Sequence, residues 1–215
     1  YFTEENARRI EAARRDLHDW LANGSIDENA YFLLLAALLE GADRVANTAG
    51  VYAAFIKSWQ PNARRPLAIA PEPPLPGVRG STARGADAVT VARELGPIDL
   101  LYIDPPYNTR QYAGYYHVPE LIARGWFDAP VGLRGKTGLL DGGGQRSAWC
   151  SKRRVGPALR ELLATTGARH VLVSYNSEGL LPDQALRAIL AEAAVDGRVR
   201  RFSKAYKRYR SDSDH

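Results

Sequence analysis

The spacing of apolar residues divides the chain in two, and the spacing in its first sixty residues is helical. Apolar positions three to four residues apart predict a helix from Thr3 to Leu21, with Thr3 as its N-cap. A second helix is expected after Ser25, which has capping-box spacing to Glu28. A third, short helix is predicted over residues 51–57. The polar face of the first helix is expected to expose its arginines to solvent, namely Arg8, Arg9, Arg14 and Arg15.

Strand-like and helix-like segments alternate beyond a proline-rich stretch at residues 61–76. That stretch is predicted to be an extended connector, because proline cannot continue a helix or a sheet. The predicted elements after it are helices over 89–95, 118–124, 155–166 and 183–193, strands over 98–103, 170–174 and 199–202, and a glycine-rich loop over 135–144. This alternation indicates a largely parallel sheet in an α/β fold. We therefore expect a helical region at 1–60, the connector at 61–76 and the α/β region at 77–215.

The strand predicted over 98–103 ends abruptly at a carboxylate. Asp104 is followed by Pro105 and Pro106, which fix the backbone and donate no N–H, and then by Tyr107. Ligands bind outside the carboxyl ends of the strands in an open parallel sheet. There the Asp104 carboxylate and the Pro105 carbonyl both accept hydrogen bonds, which suits an amino group. The ring of Tyr107 can stack on a planar base, a contact that contributes roughly 1 to 3 kcal/mol.

The composition of the chain is compatible with an anionic partner but does not establish one. The formal net charge is +5 and the pI is near 9.4. The densest basic stretch, interleaved with Phe202, Tyr206 and Tyr209, consists of Arg198, Arg200, Arg201, Lys204, Lys207, Arg208 and Arg210. Such a stretch can neutralise phosphates, or it can protect an exposed edge strand from aggregation.

Cysteine and methionine content bound the class of protein further. A single cysteine, Cys150, excludes a disulfide framework and a cysteine-rich zinc site. No apolar run approaches bilayer length and no signal peptide opens the sequence, so we expect a soluble, cytoplasmic protein. Because the sequence contains no methionine, Tyr1 is not expected to be a translation start, and the chain is interpreted as a fragment.

The residues around Asp104 resemble a known family. The D-P-P-Y sequence at 104–107 stands together with four other segments, Tyr1-Phe2-Thr3-Glu4-Glu5-Asn6, Val45-Ala46-Asn47-Thr48-Ala49-Gly50-Val51-Tyr52, Tyr116-His117-Val118-Pro119-Glu120 and Val173-Ser174-Tyr175-Asn176-Ser177-Glu178-Gly179. With these flanks, the chain resembles S-adenosylmethionine-dependent DNA adenine (N6) methyltransferases of the restriction-modification type.

The resemblance implies a fold, a substrate and a mechanism. The fold would be a partial Rossmann-like methyltransferase sheet preceded by the helical region at 1–60, which lies where family members place target-recognition elements and could contact DNA. The partners would be double-stranded DNA and a cognate restriction endonuclease. The target adenine would be flipped out of the duplex, its amine held by Asp104 and the Pro105 carbonyl, and its ring stacked on Tyr107. No metal or nucleophilic residue is required. The family's glycine-rich cofactor loop precedes the D-P-P-Y box and would lie upstream of Tyr1.

Asp87 resembles an acidic position of the family, and other residues are expected at DNA from their position and chemistry. Asp87 and Asp104 are expected at the cofactor, although Asp87 is equally suited to cap the helix at 89–95. The residues expected at DNA are Asn108, Arg110, Gln111, Tyr112, Tyr175, Asn176, Lys204, Lys207 and Arg208. The plain alternatives are a solvated loop at 108–112 and a turn closed by Asn176 and Gly179. His117 is expected to be a packing or capping residue.

Two other functions stay open on the sequence. The D-P-P-Y box alone does not distinguish methylation of a DNA adenine from methylation of an RNA adenine. A non-catalytic DNA-binding remnant, with the basic surface but without the cofactor loop, is the second alternative.

Overall fold

The computed structural model describes residues 1–54, 56–73, 77, 80–125, 133–140 and 146–205. In chain order its elements are α1 (Glu4–Ala22), α2 (Glu28–Arg44), α3 (Ala88–Leu95), β1 (Pro97–Ile103), α4 (Tyr112–Tyr115), α5 (His117–Arg124), β2 (Leu133–Arg134), β3 (Leu139–Leu140), α6 (Val155–Thr165), β4 (Gly167–Val173) and α7 (Asp183–Ala193). Short 3₁₀ turns occupy Asn62–Arg64 and Ala148–Cys150. None of the helices in the described ranges is long and apolar enough to cross a membrane.

The chain divides into two units. One consists of Tyr1–Val78 with Tyr112–Gly144, and the other of Arg79–Gln111 with Gln145–His215. Residues 112–144 thus group with the N-terminal helices, whereas the sequence pattern had assigned them to the α/β region at 77–215. A role of the helical region at 1–60 in target recognition stays a prediction.

The first unit is built on α1 and α2. Thr3 caps α1, as predicted, by accepting a hydrogen bond from the amide of Asn6. The capping box predicted from Ser25 is wrong. Asp27 is the N-cap of α2, and its carboxylate accepts from the amide of Ala30 at 2.8 Å. Ser25 does not cap the helix because its hydroxyl and amide both donate to the side-chain oxygen of Asn23. The core of the unit consists of Ile10, Leu17, Leu35, Leu38, Ala42 and Ile122.

Arg14 does not lie on a solvated face, which corrects the prediction for this residue. Its side chain is buried, and it shares the inner face of α1 with Ile10 and Leu17 at helical spacing. The guanidinium donates to the carbonyl oxygens of Ile122 at 2.7 Å and Ala123 at 3.1 Å, in the last turn of α5. Buried arginine is stable there because it replaces water at carbonyls that the helix leaves unpaired.

The helix predicted over 51–57 does not form in the described residues of that segment. Buried Asn47 satisfies this loop instead, donating to the carbonyl oxygens of Ile56 at 2.7 Å and Ser58 at 3.2 Å and accepting from the amide of Gln60. The amide of Tyr52 donates to the carbonyl of Tyr115. The backbone groups that a helix would pair locally are therefore paired over long range.

The second unit contains the parallel pair β1–β4, in agreement with the predicted α/β fold. Register partners run from Pro97 and Gly167 to Ile103 and Val173. Helices α3, α6 and α7 cover one face through a core of Val89, Ala92, Ile103, Leu159, Leu162, Leu163 and Ile189. On the other face, the side chains of Leu100, Tyr102 and Leu172 are more than half exposed.

The strand predicted over 199–202 is wrong. The described residues from 197 to 205 form no strand, and Phe202 is exposed. Charged side chains there pair with nearby carboxylates, as in the ion pair of Arg201 with Asp183 at 2.9 Å. The predicted glycine-rich loop is a small β2–β3 hairpin over 133–140, where Gly135 and Gly138 have φ of 65° and 69°. Its later glycines, Gly142 to Gly144, lie outside the described residues.

Candidate active site

The two parallel strands end at the same edge of the sheet. Ile103 and Val173 are the last register partners. The amide of Ser174 then donates to the carbonyl oxygen of Ile103 at 2.9 Å, so the pairing continues one residue beyond β4. Asp104 and Tyr175 follow directly, at the carboxyl edge where parallel sheets bind ligands.

The D-P-P-Y loop exposes its functional groups while its backbone is restrained. The side chains of Asp104 and Tyr107 are exposed, Tyr107 by 42%. Pro105 and Pro106 are half-buried, and their rings fix φ. The carbonyl oxygen of Tyr107 accepts from the amide of Leu180 at 3.0 Å, which joins this loop to the segment after β4. A carboxylate and an aromatic ring are therefore accessible on a restrained loop.

A cavity of about 520 Å³ lies along β1 and reaches this loop. Its apolar lining includes Val91, Leu95, Ile98, Leu101, Trp149 and Leu162. Its polar lining consists of Thr82, Arg84, Tyr102, Asp104 and Thr166. Pro105 and Pro106 also line it. Ligand pockets are typically about 300 to 1,000 Å³, apolar, with a few polar groups, so this cavity has the size and composition of a small-molecule site.

Asp87 caps α3, as one of its two expected roles required. Its carboxylate accepts from the amides of Val89 at 3.0 Å and Thr90 at 3.1 Å. Its neighbours Ala86 and Ala88 line the cavity. The expected contact of Asp87 with a cofactor stays a prediction.

The residues after the D-P-P-Y loop are tied to the segment before α6. Asn108 accepts from the amide of Arg110 and forms a local turn. Gln111 pairs through its side-chain amide with the backbone of Ser147, and the Cys150 thiol donates to the Arg110 carbonyl at 3.2 Å. Burial raises the pKa of the Cys150 thiol. Of the predicted DNA contacts, the Arg110 side chain is exposed, whereas the Gln111 amide is already paired.

Tyr175 and Asn176 form part of a turn, as the plain alternative expected. Asn176 accepts from the amide of Glu178 through its side chain and from the amide of Gly179 through its carbonyl. The Tyr175 hydroxyl accepts from the amide of Leu181 at 3.2 Å. A Cβ atom on Gly179 would lie 2.2 Å from the Tyr175 ring, so glycine permits this packing. Tyr175 supports the loop that holds Tyr107, and its contact with a base stays a prediction.

The remaining predicted residues are Tyr112, His117 and three basic residues at 204–208. Tyr112 belongs to the first unit, where its ring stacks on Tyr116 with 5.5 Å between centroids. His117, also in the first unit, is buried, with Nε2 2.9 Å from the carbonyl oxygen of Thr137, so its predicted packing role is confirmed. Lys204 is exposed. Lys207 and Arg208 lie outside the described residues.

Sequence reasoning missed the contribution of residues 147–150. Trp149 lines the cavity, and Ser147 and Cys150 connect its turn to residues 110 and 111. These pairings span 36 to 40 residues, so no local periodicity signals them. The available signal was Ser147, which lies two residues before Trp149 and whose hydroxyl accepts from the Trp149 amide.

Comparison with known proteins supports the resemblance stated from the sequence. The Type II methyltransferase M.NlaIII of Neisseria lactamica is 38% identical over 212 residues, which cover 99% of this chain and 61% of that protein. The Type II methyltransferase M.FokI of Planomicrobium okeanokoites is 36% identical over 98% of this chain and 32% of its own length. Type II methyltransferase M.CviAII of Paramecium bursaria Chlorella virus 1 is 35% identical over 96% of this chain and 60% of its own length.

The chain therefore spans about three fifths or less of the length of these relatives. No solved structure matches it. Residues 1–140 match the family described as D12 class N6 adenine-specific DNA methyltransferase. That match includes the loop at 104–107 and covers more than half of the 215 residues, and it confirms the resemblance predicted from that loop. The chain belongs to the D12 class of N6 adenine-specific DNA methyltransferases.

Proposed function

We propose that this chain carries the amine-holding part of an S-adenosylmethionine-dependent DNA methyltransferase that modifies the exocyclic amine of adenine. The observation that carries the proposal is the position of Asp104, Pro105 and Pro106, at the carboxyl end of β1 and in the lining of the cavity. Family membership supports the reaction type. A Rossmann-like sheet, of which β1–β4 would be one parallel pair, belongs to the same proposal.

The proposed role of Asp104 follows from its chemistry. A carboxylate accepts both hydrogens of an amino group or one of them with the Pro105 carbonyl, and either arrangement turns the nitrogen lone pair away from the loop. The two prolines keep these acceptors in place, which lowers the cost of orienting the amine. Asp104 also stabilises the positive charge that develops on the nitrogen as it forms its new bond to carbon.

Tyr107 would hold the plane of the base. Its ring is accessible, and the amide of Leu180 holds its backbone carbonyl, so the backbone is fixed while the ring stays free to contact a base. Stacking on an extrahelical adenine contributes roughly 1 to 3 kcal/mol, enough to offset part of the cost of unstacking.

Two observations support the proposal that the cavity binds an adenosyl ligand. Its volume of about 520 Å³ accommodates a nucleoside with a short side chain, and it places the Asp104 carboxylate at the end of an apolar wall. When bound, S-adenosylmethionine supplies an electrophilic methyl group on a positively charged sulfur. We assign the carboxylates of Asp87 and Asp104 to contacts with the cofactor. The described residues contain no glycine-rich strand–loop–helix unit, so we assign no residue to that part of its binding.

Double-stranded DNA is the proposed partner. The proposed location is the cytoplasm of a bacterial-type cell, where this DNA is found. Asn108, Arg110, Tyr112 and Lys204 are the described residues proposed to contact DNA, with Lys207 and Arg208 proposed from the sequence. The basic side chains would contact phosphates and therefore contribute to affinity more than to sequence choice. A cognate restriction endonuclease acting on the same site is part of the proposal, supported by the type II names of the relatives.

The test is transfer of tritium-labelled methyl groups from S-adenosylmethionine. The assay uses the chain itself and a chimera in which it replaces the matching 212 residues of the N. lactamica methyltransferase. We expect incorporation into adenine of duplex DNA. Greater incorporation into structured RNA would support the RNA alternative, and DNA binding without incorporation by the chimera would support the non-catalytic remnant.

A further inference from the structure

The side-chain amide of Gln111 pairs with the backbone of Ser147 as a neighbouring strand would. The amide of Ser147 donates to Gln111 Oε1 at 2.9 Å, and Gln111 Nε2 lies 3.4 Å from the carbonyl oxygen of Ser147. A carboxamide has a donor and an acceptor side by side, so it can pair with both backbone groups of one residue as a neighbouring strand would. This pairing joins segments 36 residues apart.

The same two segments meet again at the other end of the 3₁₀ turn Ala148–Cys150. The thiol of Cys150 donates to the carbonyl oxygen of Arg110 at 3.2 Å. Within the turn, the amide of Trp149 donates to the Ser147 hydroxyl at 3.2 Å. Gln111 thus holds Ser147, the N-cap of the turn, and Arg110 holds Cys150, its last residue. Trp149 lies between the two attachments.

This attachment determines the shape of the candidate active site. Trp149 lines the cavity together with Asp104, Pro105 and Pro106. Gln111 follows Tyr107 by four residues, and the turn closed by Asn108 shortens the connection. The loop that presents the carboxylate and the turn that presents the indole are therefore joined directly, and the distance between them is set by hydrogen bonds to residues 110 and 111.

We propose that Gln111 is a positioning residue, which holds Trp149 in the wall of the cavity that the D-P-P-Y loop also lines, so that an adenine-bearing ligand is received there. The inference deepens the proposed function and rests on it for the identity of the ligand. Its geometric part, that Gln111 holds the turn, stands on the contacts alone. The expected contact of Gln111 with DNA is not required, because both ends of its amide already have partners.

The chain contains a built-in probe of this attachment. Cys150 is its single cysteine, and the residue is buried. Modification by a small neutral thiol reagent therefore requires the 148–150 turn to separate from residues 110 and 111. The rate of modification reports how often the turn opens.

The variants to compare are Gln111→Ala and, as the matched control, Thr109→Ala, an exposed position two residues earlier. Loss of the two neutral hydrogen bonds of Gln111 should raise the rate of Cys150 modification about tenfold. Thr109→Ala should leave it unchanged. Urea unfolding of each variant shows whether a faster rate reflects local opening or global loss of stability, and only local opening supports the inference.

Ligand binding supplies the second measurement, since Trp149 fluorescence is isolated as the difference between the chain and its Trp149→Phe variant. A short oligonucleotide with one unpaired adenine and S-adenosylmethionine are titrated separately, which distinguishes the target base from the cofactor as the source of the adenine. We expect quenching of Trp149, and a Kd about tenfold weaker in Gln111→Ala. Modification of Gln111→Ala at the rate of Thr109→Ala would overturn the inference, and so would unchanged affinity. Failure of the wild-type chain to bind either ligand would count against the proposed function, while the modification rates still decide whether Gln111 holds the turn.

Discussion

The carbonyl oxygen of Tyr107 accepts a hydrogen bond from the amide of Leu180 at 3.0 Å, and this contact joins the two loops that leave the parallel strands. The loop containing Leu180 is itself supported by Tyr175, whose hydroxyl accepts from the amide of Leu181. Tyr175 packs where Gly179 has no side chain. The position of the candidate active-site loop therefore depends on a glycine more than seventy residues away in sequence.

Gly179→Ala should displace this support. The new Cβ would lie 2.2 Å from the Tyr175 ring and 2.9 Å from the Asn176 carbonyl oxygen, so the ring has to move. Overpacking of this kind costs about 1 to 3 kcal/mol of unfolding free energy, measured by urea denaturation. Gly85→Ala is the control, because a Cβ there meets nothing within 4 Å. Equal stability of the two variants would show that Tyr175 does not pack against Gly179 in solution.

Arg14→Leu should destabilise the first unit through the end of α5. The substitution removes the donors to the carbonyl oxygens of buried Ile122 and half-buried Ala123 and leaves both groups without this partner. We expect a loss of about 2 to 3 kcal/mol in the free energy of unfolding. Arg15→Leu, on the same helix, loses an exposed pair with Glu11 and should change stability by no more than about 0.5 kcal/mol. A loss in Arg15→Leu as large as that in Arg14→Leu would contradict the buried role of Arg14.

Tyr52 should make the protein sensitive to alkali. Burial, with a smaller contribution from the nearby Asp43 carboxylate, raises the pKa of Tyr52 above its ordinary value of 10.0. The unfolded chain therefore ionises first, so the stability that the neutral phenol provides is complete below about pH 10 and falls as the pH rises further. Tyr52→Phe should lower this dependence by up to about 1.4 kcal/mol per pH unit. Unfolding free energies of both proteins at pH 9 and pH 11 test this, and an unchanged slope would show that Tyr52 ionises equally in both states.

Local signals were sufficient for most of the α/β unit. The helices at 88–95, 155–165 and 183–193 and the strands at 97–103 and 167–173 were predicted to within three residues, because their periodicity and caps are encoded nearby. Asp87 illustrates this, since its capping role follows from its place one residue before α3. The family was predicted from residues 104–107 together with four other short segments, and the match over residues 1–140 confirms it.

Three of the errors occur where contacts between separate segments decide the structure. The side chain of Asn47 forms hydrogen bonds with the backbone of Ile56, Ser58 and Gln60. These bonds hold the segment as a loop, so the apolar pattern at 51–57 did not become a helix. Arg14 looked like part of a charged face, but the position of Ile122 beside α1 could not be read from either segment. Trp149 was missed for the same reason, because its turn is held by Gln111 and Arg110.

Single-turnover methyl transfer to duplex DNA in the N. lactamica chimera tests the role of Asp104 most directly. Asp104→Ala should lower the rate about 10² to 10³-fold, the range found when one stabilising group is removed from a reaction centre, and leave DNA affinity within about threefold. Asp104→Asn, which keeps one acceptor oxygen, should lie between that variant and the wild type. Asp99→Ala, which removes an exposed carboxylate from the same strand, should transfer at the wild-type rate. Transfer by Asp104→Ala at the rate of Asp99→Ala would contradict the assignment of Asp104 as the residue that holds the adenine amine.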